Sequence, residues 1–88
     1  MTEVCVIIVD YKSGKYLSGC LDSIKKSNFK SLEIIVIGNN KKNIGYGAGC
    51  NLGAKKAKGK YLFFLNPDTE VFPDTISKLV KFLKKIRR

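Results

Sequence analysis

The 88-residue sequence has no histidine and no tryptophan, one methionine, two prolines and three cysteines, and only 7 acidic residues stand against 17 basic ones. With no imidazole and no cysteine pair at CxxC spacing, the usual ligands for zinc are lacking. Cys5, Cys20 and Cys50 form an odd set, and no charged-then-apolar leader precedes the first apolar run, so a reduced, cytoplasmic protein is expected. Long apolar runs are also missing. The stretch Tyr61 to Leu65 falls far short of the roughly 20 residues that span a bilayer, which predicts no membrane span. No repeat, linker or low-complexity tract divides residues 1–88, so one domain is expected.

What is present points to a folded chain. Hydrophobic residues make up 44%, with five Phe and four Tyr, which argues against disorder. A chain of this size buries only about 60% of the surface its unfolded form exposes, so the core must be thin. The three cysteines read as small core residues. The net charge of +10 favours anionic partners such as nucleotide diphosphates, lipid headgroups or nucleic acid. Much of the excess lies at one end, in Lys78, Lys81, Lys84, Lys85, Arg87 and Arg88, with no acidic residue after Asp74.

Apolar patterning predicts three strands alternating with three helices. Val4 to Val9, Leu32 to Ile37 and Tyr61 to Leu65 are unbroken apolar runs, each the signature of a strand buried on both faces. Ser13 is placed to cap a first helix near Gly14, in which Leu17, Cys20, Leu21 and Ile24 recur at helical spacing. A second helix is expected to start within Asn43 to Gly53 and run to about Lys58, with Ala48 and Leu52 facing inward. Pro73 suits the first turn of a last helix, whose stripe is Ile76, Leu79, Val80, Leu83 and Ile86. The expected fold class is α/β: a short three-stranded parallel sheet of order 2-1-3 with helices on both faces. Ligands of such sheets sit at the strand carboxyl ends beside the switch in strand order, here the loops after Val9, Ile37 and Leu65.

Those loops carry the candidate chemistry. Asp10 and Tyr11 close the first strand, and the tyrosine offers either a face for a stacked base or a rim contact to the first helix. Glycines 45, 47, 49 and 53 follow the second strand without G-x-G-x-x-G spacing, which disfavours a dinucleotide fingerprint. They either ease a tight turn and close helix packing or admit a phosphate near a helix amino end. Asp68, after Pro67, could hold Mg²⁺ or Mn²⁺ against a diphosphate, or simply accept backbone hydrogen bonds in its turn. The last helix reads as a solvated lysine face over an apolar stripe, and without interleaved aromatics it does not read as a nucleic-acid binder.

Taken together, Val6-Ile7-Ile8-Val9-Asp10-Tyr11, Leu17 to Ile24, Leu32 to Ile37, Asn43 to Gly53 and Lys58 to Thr69 resemble the family 2 glycosyltransferases of the GT-A fold, particularly rhamnosyltransferase-like members. The resemblance covers nearly the whole chain. It implies the Rossmann-like, nucleotide-binding half of a GT-A fold and a UDP- or dTDP-sugar donor. It further implies that Tyr11 stacks on the base, that Asn43, Gly45 and Asn51 line the donor pocket, and that Asn66 and Asp68 occupy the ends of the D-x-D motif. Asp68 would then be the ligand of a divalent metal, Mg²⁺ or Mn²⁺. Asp10, Asn39 and Asn40 complete the expected donor site. Gly38 stands where the family usually has an Asp, and the stretch between Asn40 and Asn43 is shorter than usual. The acceptor site and general base of the family are not expected in this chain. A homodimer or an acceptor-domain partner is therefore expected, since the second and third strands would be open edges. The alternative is a non-catalytic module whose basic helix docks on acidic protein or on the inner face of the membrane.

Overall fold

A computed structural model describes residues 2–38 and 45–86. Along the chain run β1 (Val4–Asp10), α1 (Lys15–Lys25), β2 (Leu32–Gly38), α2 (Tyr46–Lys56), β3 (Tyr61–Leu65) and α3 (Thr75–Ile86). The strands form one parallel sheet in the order β2-β1-β3, with Ile7 level with Ile35 on one side and Phe64 on the other. The α/β class, strand order and helices on both faces follow the expectation.

β1 is the centre of everything. All seven of its residues are buried, because both of its edges are paired and both of its faces are covered. On one face Val4, Val6 and Ile8 meet Cys20 and Ile24 from α1, Ile76 and Val80 from α3, and Leu65 from β3. Burying such aliphatic side chains contributes about 1.5–3 kcal/mol each, so this cluster is the main source of stability.

The opposite face is closed by α2, and here the inward residues differ from those expected. Ala48 and Leu52 are exposed, whereas Gly49 and Gly53 are buried against the sheet. A Cβ on Gly49 would lie 2.6 Å from a Val9 methyl, and one on Gly53 would lie 2.4 Å from an Ile7 methyl. The helix packs so closely that its contact stripe is backbone, and the larger residues are displaced outward.

Three other expectations are corrected. Ser13 does not cap α1: Gly14 holds the cap position at φ 58° with no side-chain cap bond, while the Ser13 hydroxyl is buried without a partner. The runs in β2 and β3 are not buried on both faces. Ile34, Val36, Leu62 and Phe64 are exposed, because each helix layer covers β1 and one neighbour, leaving an apolar strip on each edge strand. Pro73 precedes α3 instead of entering it, and only Ile76 and Val80 of the α3 stripe are buried. Leu79, Leu83 and Ile86 are exposed.

Candidate nucleotide-sugar site at the strand ends

The direction of α2 fixes what stands at the carboxyl ends of the strands. Gly49 lies against Val9 near the end of β1, and Gly53 lies against Ile7 one turn further down. The helix therefore runs antiparallel to β1, and its amino end stands beside Asp10 and Gly38. Gly45 caps that end at φ 90°, a backbone conformation that favours glycine. The first N–H groups of any helix have no intrahelical acceptor and carry its positive dipole end, so this terminus can receive an anion at the crevice.

β1 contributes Asp10 and Tyr11 to the same end. Asp10 is buried, and its Oδ1 accepts the Ser13 backbone N–H at 3.2 Å, closing a tight turn. Lys12 within that turn has φ 54°, the left-handed region. Tyr11 is thereby turned outward with 45% of its surface exposed, and the Lys12 ammonium sits 5.3 Å from its ring centroid. An exposed ring at a strand end, with a cation nearby, can take a stacked base and face a phosphate.

β3 contributes Asn66, Pro67 and Asp68. Asn66 and Asp68 are exposed, and the Asn66 carbonyl accepts the Thr69 N–H at 3.0 Å, forming a tight turn that contains Asp68. α1 holds this loop at both ends. The Cys20 thiol donates to the Asn66 carbonyl at 3.8 Å, while the buried Ser23 hydroxyl donates to the Cys20 carbonyl at 2.7 Å and accepts the Val71 N–H at 3.1 Å. Burial first, and then the carboxylates of Asp68 and Glu70, push the Cys20 thiol up, so it stays protonated and able to donate. Beside the loop, Gly19, Asp22, Ser23, Lys26 and Glu70 line a polar cleft of about 300 Å³.

Of the residues expected at the site, Asp10, Tyr11, Gly45, Asn66 and Asp68 come together at one end of the sheet. Asn51 lies midway along α2, exposed, on the side opposite Gly49 and Gly53. Asn39, Asn40 and Asn43 lie outside the described residues. The loop-holding roles of Cys20 and Ser23 were not read from sequence; the available signal was a serine set on the apolar stripe of a helix. Among the described residues there is no group of three or more His, Cys, Asp or Glu side chains able to hold a metal ion by themselves. The donor set still suits Mg²⁺ or Mn²⁺, since such ions are commonly held by one or two protein oxygens with substrate phosphates completing the shell. Asp68 and Asn66, two residues apart in one exposed turn, are the residues that would hold the ion.

The family model for "Glycosyl transferase family 2" matches residues 39–88, more than half of the chain. The chain belongs to glycosyl transferase family 2. Similar proteins include the uncharacterized glycosyltransferase RP339 of Rickettsia prowazekii, 28% identical over 103 residues, covering 94% of this chain and 32% of the relative. Glycosyltransferase GlyA of Streptococcus pneumoniae is 26% identical over 102 residues, covering 90% of this chain and 15% of the relative. This family 2 chain thus spans a third or less of the curated relatives it matches. The 103-residue alignment exceeds the 88 residues available, so the Rickettsia protein has extra residues within the matched span. Among solved structures, Staphylococcus aureus TarS 1–349 in complex with UDP-GlcNAc superposes with a TM-score of 0.80 at 20% identity, over 96% of this chain and 32% of that one. The UDP complex of the same protein gives a TM-score of 0.78 at 20% identity, with the same coverage of both chains. These likenesses place the chain in the GT-A fold.

Proposed function

We propose that this family 2 domain binds a nucleotide-diphosphate sugar at the carboxyl ends of β1 and β3, as the donor half of an inverting glycosyl transfer. The observation that carries the reading is the convergence of Tyr11, the amino end of α2 and the Asn66–Asp68 turn at one switch in strand order, fixed by the Gly49 and Gly53 contacts. Tyr11 stacks on the base, the α2 terminus receives phosphate oxygens, and Asp68 with Asn66 holds the divalent cation. When bound, that cation stabilises the charge that develops on the departing diphosphate. The donors proposed are UDP- and dTDP-sugars; the names of the TarS complexes with UDP-GlcNAc and UDP support a uridine donor. Residues outside this chain supply the acceptor site and the base that deprotonates the acceptor hydroxyl. Three free cysteines support placing the domain in the cytoplasm.

Calorimetric titration with UDP, dTDP and GDP, each with and without Mn²⁺, tests the reading. Binding that requires Mn²⁺ and is weakened at least about tenfold by Asp68→Ala is the expected result, since the carboxylate is the one charged ligand the chain supplies. Metal-independent binding, or unchanged affinity in the variant, would remove Asp68 from the site.

A further inference from the structure

The segments that lead into β2 and β3 share one composition. The end of α1 and its connection to β2 carry Lys25 and Lys30, and the end of α2 and its connection to β3 carry Lys55, Lys56, Lys58 and Lys60, all exposed. Backbone contacts place both connections at the amino end of the sheet. The Ser31 carbonyl accepts the Glu3 and Val4 N–H groups at 3.2 and 3.1 Å, the Tyr61 N–H donates to the Glu3 carbonyl at 2.8 Å, and Gly59 lies against the Cys5 backbone. The Lys30 ammonium donates to the Lys25 carbonyl at 3.3 Å, which keeps these two residues side by side. A helix dipole favours lysine in a last turn, which accounts for Lys25, Lys55 and Lys56. It does not account for Lys30, Lys58 and Lys60, which lie outside the helices.

Little nearby negative charge offsets them. Glu33 accepts the Lys58 N–H at 2.9 Å, and Glu3 is paired with the Lys84 ammonium at 2.8 Å, so both carboxylates at this end are engaged. Among the described residues no ion pair involves Lys25, Lys30, Lys55, Lys56 or Lys60. Asp10 and Asp68 stand at the opposite ends of their strands. We infer that the lysine-rich end of the sheet docks on an anionic phospholipid surface, with the carboxyl ends of the strands turned away from it. α1 and α2 cover opposite faces of β1, so their lysines spread over a broad end of the molecule and not along one groove. Such a spread suits a plane of diffuse charge, where each lysine near the surface adds about fivefold to partitioning. The same field repels Asp10 and Asp68, which orients the domain.

Other anionic partners fit less well. Nucleic acid is gripped by exposed rings and by arginine forks. Residues 25–31 and 55–60 hold no arginine and a single ring, Phe29, which packs against the core. An acidic protein would have to immobilise the long lysine side chains, and lysine is depleted at protein interfaces; a fluid headgroup layer leaves those side chains mobile. The basic helix α3 contributes less than its composition suggests, because Lys78 is paired with Asp74 and Lys84 with Glu3. The inference does not rest on nucleotide binding.

Co-sedimentation of the whole chain with vesicles tests it, using phosphatidylcholine alone and phosphatidylcholine mixed in equal parts with phosphatidylglycerol. Binding to the mixed vesicles only is expected, and it should fall steeply as salt rises. Lys30→Glu combined with Lys55→Glu should weaken it at least about twentyfold. Lys15→Glu combined with Lys78→Glu makes the same change in net charge elsewhere and should weaken it less than about fourfold. In the wild type, a gadolinium-labelled headgroup lipid added to the mixed vesicles should broaden the amides of residues 25–31 and 55–60 first and spare those of Tyr11 and Asp68. No binding to the mixed vesicles, equal losses in the two variant pairs, or broadening that begins at Tyr11 and Asp68 overturns the proposal. Binding of single-stranded RNA without binding of vesicles also overturns it, and assigns this end to nucleic acid.

Discussion

Single residues in this fold are held to tolerances that differ sharply between neighbours on one helix. Gly53 and Gly47 are both glycines of α2, yet a methyl group on Gly53 would overlap Ile7, while one on Gly47 meets nothing within 4 Å. Gly53→Ala should lower stability by about 1–3 kcal/mol through overpacking. Gly47→Ala should raise it by about 0.5–1 kcal/mol, through the helix propensity gained. Urea midpoints of the two variants should therefore move in opposite directions. Cys5 makes a second prediction. Burial, followed by the hydrogen bond and charge of Glu33, pushes its thiol up to about 12 from 9.0, so the folded state keeps a proton that the unfolded chain loses. Its contribution is fully present below pH 9.0 and is lost as pH rises toward 12. Denaturant midpoints should fall across that window, and less steeply in Cys5→Ala than in the wild type.

At the scale of elements, α1 does two jobs with one face: it fills the core with Cys20 and Ile24, and it anchors the loop that follows β3. Ser23→Ala removes the acceptor of the Val71 N–H and should cost about 1–2 kcal/mol, measurable by thermal or urea unfolding. Ser23→Thr, which keeps the hydroxyl, should recover part of that loss. The order of elements and the parallel sheet were legible in the sequence, because each apolar run was unbroken and each helix carried its own periodicity. The inward face of α2 was not legible. Periodicity marks side chains, and the contact there is made by backbone at Gly49 and Gly53, so Ala48 and Leu52 read as the buried pair. Burial in β2 and β3 was over-read for a related reason: an apolar run shows that a strand tolerates burial, while the number of neighbouring elements decides whether burial occurs. The Asn66–Asp68 turn was readable from its proline and aspartate, but its attachment to α1 depends on a contact between residues 48 positions apart, Ser23 and Val71.

The whole molecule is a thin, basic body whose charge and whose site pull in different directions. Net charge of +10 attracts any polyanion, while the proposed metal-bridged nucleotide would draw on the oxygens of the Asn66–Asp68 turn. Raising salt should therefore weaken binding to a generic polyanion steeply and Mn²⁺-dependent UDP binding only modestly, and titrations at several ionic strengths read the difference. The chain spans about a third of its Rickettsia relative.

β1 is the strand on which both sheet neighbours and all three helices converge, and it occupies residues 4–10. During synthesis β2 and then β3 leave the ribosome after it, so one of its edges cannot close before β2 has emerged and the other cannot close before β3 has. Over that interval an apolar Val-Cys-Val-Ile-Ile-Val segment is without its full set of native partners. The nascent chain should be at its most vulnerable to aggregation, and at its most dependent on chaperones, until Leu65 has emerged.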